Sequence, residues 1–88
     1  MIARMTDDAI DLHHFRPAEC GDVVEEFVRD AQERGLPLVR IIHGKGIGNL
    51  RRTVHAVLDR HPAVARYEQA DANWGATLVE LVPLSPAT

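Results

Sequence analysis

The run Leu38-Val39-Arg40-Ile41-Ile42 leads directly into His43-Gly44-Lys45-Gly46-Ile47-Gly48, and Asn49-Leu50 then opens a helical pattern. A largely apolar run of that length reads as a buried strand, and three glycines on alternate positions end it. The chain must therefore place a strand, a glycine loop and a helix in succession. Such a junction gathers backbone N–H groups beside the positive end of a helix dipole, and Gly44, Gly46 and Gly48 let a bulky anion approach the backbone closely. Lys45, Arg51 and Arg52 add full positive charge at or near the same end. A phosphate, or several in a row, suits this chemistry. The pattern GxxxxGK(S/T) is missing, and the third glycine stands at position 48 where GxGxxG would need it at 49. Neither a nucleoside triphosphate nor a dinucleotide is therefore favoured.

The flanking segments supply the remaining elements. Ile10-Asp11-Leu12-His13 alternates apolar and polar residues, which predicts a strand with Asp11 and His13 on one side and Ile10 and Leu12 on the other. Arg16-Pro17-Ala18-Glu19 is a helix start with a weak cap, and Cys20, Val23, Val24, Phe27, Val28 and Ala31 then keep helical spacing. Gly35 suits the left-handed residue after the cap, Leu36 can fold back on Ala31, and Pro37 prevents continuation. In the second helix Asn49 is a good N-cap, and Leu50, Val54, Val57 and Leu58 form the buried stripe. Arg51, His55 and Asp59 fall four apart along an exposed side, with Arg52 on the adjoining strip. His61-Pro62 ends that helix. A weaker strand spans 64–69 and a stronger one 76–82, separated by the turn Asp71-Ala72-Asn73-Trp74-Gly75.

This order, βαβαββ, predicts a two-layer α/β sandwich: a four-stranded mixed sheet with two helices on one face. Both helical crossovers are long enough for parallel strand pairs with right-handed connections. Parallel strands share a carboxyl edge, so Asp11-His13 and His43-Gly46 should emerge together, where ligands collect in open α/β sheets.

With 88 residues there is room for one domain of two layers. A formal net charge of -3 excludes a protein that coats nucleic acid through its overall field, so phosphate binding must come from a local patch. Nothing near Met1 resembles a signal peptide, and no run approaches the roughly 18 apolar residues needed to cross a bilayer, which predicts a cytoplasmic protein without a membrane partner. Cys20 stands alone, so no intramolecular disulfide or thiolate metal cluster is expected.

Ile10-Asp11-Leu12-His13, His43-Gly44-Lys45-Gly46 and Trp74-Gly75-Ala76-Thr77-Leu78-Val79-Glu80-Leu81, in this order and with fitting helices between them, resemble the Smr domain, the small MutS-related domain. The LDxH motif of that family falls on positions 10–13 with isoleucine at its first place, and the HGxG motif falls on positions 43–46 without departure. The glycine-rich segment often found before the last strand is short here. The resemblance implies an N-terminal arm at 1–9, the Smr domain at 10–82 and a C-terminal tail at 83–88. It also implies binding of nucleic acid, DNA or RNA, and in several members endonuclease activity, including cleavage of messenger RNA on stalled ribosomes.

Each candidate residue has a plain reading beside the functional one. Asp11 and His13 form either a proton acceptor with its orienter or a structural hydrogen bond. His43 either ties down the loop, or stabilises phosphate charge or protonates a leaving oxygen. Lys45, Arg51 and Arg52 are either ordinary surface cations or phosphate contacts; Trp74 is a loop anchor or a platform for an unpaired base. His14 and His61 read as structural, and His55 as part of a solvated face. No cofactor is required: Asp7, Asp8, Asp11 and His13 could assemble a site for a divalent cation, but they make no clear ligand set and the acidic pair reads better as part of an arm. An endonuclease is the first reading, a non-catalytic module gripping nucleic acid or a ribosome the second. A small phosphometabolite site is third, disfavoured by the lack of a second domain.

Overall fold

In the computed structural model, which describes residues 8–44, 49–70 and 75–83, the apolar run becomes strand β2 (Leu38–Ile42). Val39 and Ile41 face the core while Arg40 and Ile42 are half-exposed on the other side, as a pleated strand in a two-layer sheet requires. Beside it lies β1 (Asp8–Asp11), parallel and in register from Asp8 opposite Val39 to Asp11 opposite Ile42. The other neighbour is β4 (Ala76–Leu81), antiparallel, and β3 (Val64–Gln69) pairs only with β4. The sheet order is β1-β2-β4-β3, so the first crossover makes a parallel pair but the second does not.

Composition explains why β4 inserts. Its residues Ala76, Thr77, Val79 and Leu81 are buried, and a strand that apolar gains most from a central place. β3 exposes Arg66, Glu68 and Gln69 and carries a bulge between Val64 and Arg66, features that protect an edge from further pairing.

Two helices cover the face bearing Val39, Ile41, Val79 and Leu81. Helix α1 (Cys20–Glu33) contributes Cys20, Val24, Val28 and Ala31, and α2 (Asn49–Arg60) contributes Val54, Val57 and Leu58. A 3-10 turn at Pro17–Glu19 precedes α1, and the Cys20 thiol donates to the Arg16 carbonyl at 3.3 Å. Burial raises the pKa of that thiol, which fits its structural reading. α1 ends as its sequence predicts: Gly35 takes φ 77°, its amide donates to Gln32, and the Leu36 amide donates to Ala31. Among the described residues no helix is long and apolar enough to cross a membrane.

The first motif corrects the sequence reading. β1 ends at Asp11, and Leu12–His14 form a 3-10 turn, not a continued strand. The cause is local: the Asp11 carboxylate accepts the backbone N–H of His13 at 2.9 Å, a side-chain cap that competes with the strand ladder. Leu12 is turned fully into the core as a result.

Ile41 is completely buried in a strand bonded on both sides. Ile41→Ala is expected to cost roughly 3 kcal/mol, a large share of the stability of a small domain, through lost burial and the cavity left behind. Urea unfolding should show a lower midpoint at unchanged slope.

Candidate nucleic-acid site at the carboxyl edge

Asp11 and His13 lie at the carboxyl ends of the parallel pair β1 and β2, together with His43 and Gly44. The turn brings the first two residues into direct contact. Asp11 Oδ1 accepts from the His13 backbone amide at 2.9 Å and meets His13 Nδ1 at 2.8 Å. The backbone amide first, then the ring, hold the Asp11 carboxyl below the usual carboxylate range. An ionised carboxylate can only accept, so Nδ1 carries a proton and neutral His13 presents Nε2 with its lone pair free. The side chain of His13 is 57% exposed.

Gly44 closes the other side of the ring. Its φ is +82°, and a Cβ at this position would lie 2.6 Å from His13 Nε2 and 3.0 Å from Cε1. Only glycine fits both the backbone angle and the contact. Its amide is engaged as well: the Gly75 carbonyl accepts from the N–H of His43 at 2.9 Å and from that of Gly44 at 2.8 Å. Gly44 therefore seats the imidazole, and its N–H is not turned toward an anion.

His43 is buried, 4% exposed, and both ring nitrogens have partners. Nδ1 donates to the Gly44 carbonyl at 2.9 Å, and Nε2 lies 2.9 Å from Thr77 Oγ1. A ring bonded in this way ties down the loop; it has no nitrogen left to protonate a leaving oxygen.

His55 is a further correction. It does not lie on a solvated face: its Nε2 reaches Thr77 Oγ1 at 3.3 Å, and its ring packs on Tyr67 with centroids 4.7 Å apart. Burial, then the charge of Arg51 and the neighbouring His43, lower its pKa, with Asp59 opposing. The Tyr67 hydroxyl donates to Asp59 at 2.6 Å, and this bond, ahead of burial, raises the phenol pKa. Sequence inspection missed Thr77 and His55, although Thr77 alternates with Val79 and Leu81 on the core face, where a hydroxyl is out of place.

Arg51 and Arg52 are exposed in the first turn of α2, which contains no acidic residue. Positive charge there opposes the helix dipole, an arrangement that an incoming anion would relieve. Arg51 also borders a cavity of about 110 Å³ with His43, His55, Tyr67 and Thr77. Lys45, Gly46, Gly48 and Trp74 lie outside the described residues, as do Asp7 and the arm before it. No group of three or more His, Cys, Asp or Glu side chains suited to a metal ion occurs among the described residues.

The Smr domain model matches residues 10–82. Endonuclease MutS2 of Thermomicrobium roseum is 39% identical over 75 residues, and that of Helicobacter pylori strain 26695 is 37% identical over 75. Each match covers 85% of this chain and 10% of the relative, so the chain spans about a tenth of the length of these curated relatives. The crystal structure of the Smr domain of Thermus thermophilus MutS2 superposes with a TM-score of 0.81 at 32% identity, covering 86% of this chain and 99% of that one. YdaL, a stand-alone small MutS-related protein from Escherichia coli, gives a TM-score of 0.72 at 32% identity, covering 83% and 63%. With Asp11, His13, His43 and Gly44 of its motifs at one sheet edge, and with these likenesses in sequence and structure, the chain belongs to the Smr domain family.

Proposed function

We propose that this domain binds nucleic acid and cleaves its phosphodiester backbone, with His13 as the proton acceptor. The observation that carries the reading is the Asp11–His13 pair: an ionised carboxylate meets Nδ1 at 2.8 Å and fixes the Nδ1–H tautomer, and Nε2, beside Gly44, is left as the acceptor. In the step envisaged, Nε2 takes the proton of the attacking hydroxyl, either water or the 2′-OH of RNA, as that oxygen bonds to phosphorus and the P–O bond to the leaving oxygen breaks, the leaving oxygen taking a proton from solvent water. The imidazolium formed stays paired with Asp11. Arg51 and Arg52 would hold the phosphates that flank the cut, with Lys45, Gly46 and Gly48 as further contacts and Trp74 as a stacking partner.

The naming of the relatives as endonucleases supports the reading. A binding module that does not cut is the second reading. It is favoured by the engagement of both His43 nitrogens, which leaves His13 as the single histidine of the two with a free acceptor.

Labelled single-stranded RNA, single-stranded DNA and supercoiled plasmid, each with and without EDTA, test the proposal. Cleavage of any of the three supports it, and binding without cleavage replaces it by the module. The EDTA arm shows whether a divalent cation takes part. Arg51→Ala with Arg52→Ala should weaken binding alike on all sequences. Two lost phosphate contacts should flatten the slope of log K against log salt by roughly 1.4 to 1.8. An unchanged slope would remove the arginines from the site.

A further inference from the structure

Behind His13 a chain of hydrogen bonds runs from α2 through β4 to Gly44. Its polarity follows from one end. The Gly44 carbonyl can only accept, so His43 Nδ1 bears the proton and, in the neutral ring, Nε2 accepts. Thr77 must then donate its hydroxyl proton to His43 Nε2 at 2.9 Å, which leaves Thr77 Oγ1 to accept from His55 Nε2–H at 3.3 Å. Thr77 is 1% exposed. Buried polar groups of this kind are costly unless every one is paired, and a fully paired set fixes a single geometry. No buried side-chain nitrogen or oxygen among the described residues lacks a partner. The far end is anchored too, since the His55 ring packs on Tyr67 and Tyr67 is held by Asp59.

We propose that Thr77 and His55 are positioning residues for His13, acting through His43 and the carbonyl of Gly44. The bond to that carbonyl sets the plane of the peptide following Gly44, while the Gly75 carbonyl holds the amide on the other side. Between these two restraints the Gly44 α-carbon is fixed against the ring of His13, where there is no space even for a methyl group. Asp11 orients the imidazole from Nδ1; the His55-Thr77-His43 chain limits where Nε2 can stand. The catalytic half of this inference rests on the cleavage reading above, whereas the structural half does not.

The test pairs a spectroscopic readout with a kinetic one. In long-range 1H–15N spectra at neutral pH, wild-type His43 should appear as the Nδ1–H tautomer and His55 as the Nε2–H tautomer. Thr77→Val keeps the shape and removes the hydroxyl. It should shift the ring signals of His43 and, across Gly44, those of His13, and Thr77→Ser should restore both. On a single-stranded oligonucleotide, Thr77→Val should lower kcat roughly tenfold with KM unchanged, since misplacing a reacting group by 1 Å can cost about 10²-fold. His13 signals at their wild-type positions in Thr77→Val, or wild-type His43 found as the Nε2–H tautomer, would overturn the proposal whatever the nuclease assay gives. If the wild type does not cleave, the cleavage reading fails and the spectra alone decide the network. Should Thr77→Val not fold, His55→Phe retains the packing on Tyr67 and removes the donor to Thr77. Wild-type signals of both His43 and His13 in that variant would likewise overturn it.

Discussion

His13→Ala, purified identically with the wild type, is expected to cut nucleic acid roughly 10² to 10⁴ times more slowly, the range lost with a positioned proton acceptor, at nearly unchanged affinity. The expectation follows from the contacts at the ring. Nδ1 is committed to Asp11, Nε2 is the nitrogen left to accept, and the ring is half-exposed outside the core. Asp11→Asn should cost less. The amide can still accept from Nδ1–H and from the His13 backbone amide, but it cannot balance the charge that develops on the imidazole. The same variant should be less stable than the wild type at neutral pH, and the difference should shrink as acid is added. The folded pKa of Asp11 lies below its ordinary 3.8, so its ionisation stabilises the fold above that pH, and the benefit disappears as pH falls through the lowered value. Equal cleavage by wild type and His13→Ala would end the catalytic assignment.

Gly44→Ala should be nearly as damaging to turnover, although it adds only a methyl group. Two costs arise. An L-residue at φ +82° is strained by about 1–2 kcal/mol, which a folded domain survives. The methyl carbon would also stand 2.6 Å from His13 Nε2, a distance no packed pair of atoms sustains. The glycine is held by its own bonds to Gly75 and His43, whereas the imidazole is exposed and hinged on a short turn, so the ring should give way and break its bond to Asp11. A loss of about 10²-fold in cleavage is expected, the scale for a reacting group displaced by 1 Å, with a circular dichroism spectrum like that of the wild type. A folded Gly44→Ala protein that cleaves at the wild-type rate would show that the seat of the ring does not matter.

How far the sequence spoke for itself differs between elements. The β2 run, the apolar spacing of both helices and the Gly35 cap specify their structures locally, and each appears where the pattern puts it. Strand order was less legible. Crossover length permits a parallel β2–β3 pair, and only the greater burial of β4 decides that it lies between them. At the site, Asp11 and His13 were legible as neighbours but through the wrong geometry: alternation along a strand brings side chains to one face, whereas a carboxylate capping its own turn brings them into contact. His55 was misread because helical spacing alone cannot show that the rim of a stripe meets Thr77 on a strand 22 residues away. The partnership of Gly44 with His13 was invisible for the same reason, as it depends on two loops meeting in space.

Strand β4 follows β1, β2 and β3 in the chain yet lies in the interior of the sheet, and this has a consequence for how the domain matures. A hairpin of β3 and β4 can close early, but joining it to β2 requires distant segments to meet, and such non-local pairing is the slow part of folding. Until it happens, β2 has an unpaired edge, the Gly75 carbonyl has not reached His43 and Gly44, and Thr77 is absent from its place. The seat for His13 thus comes into being only when β4 joins β2. A chain caught before that step would carry Asp11 and His13 on their turn without the contacts that seat the ring.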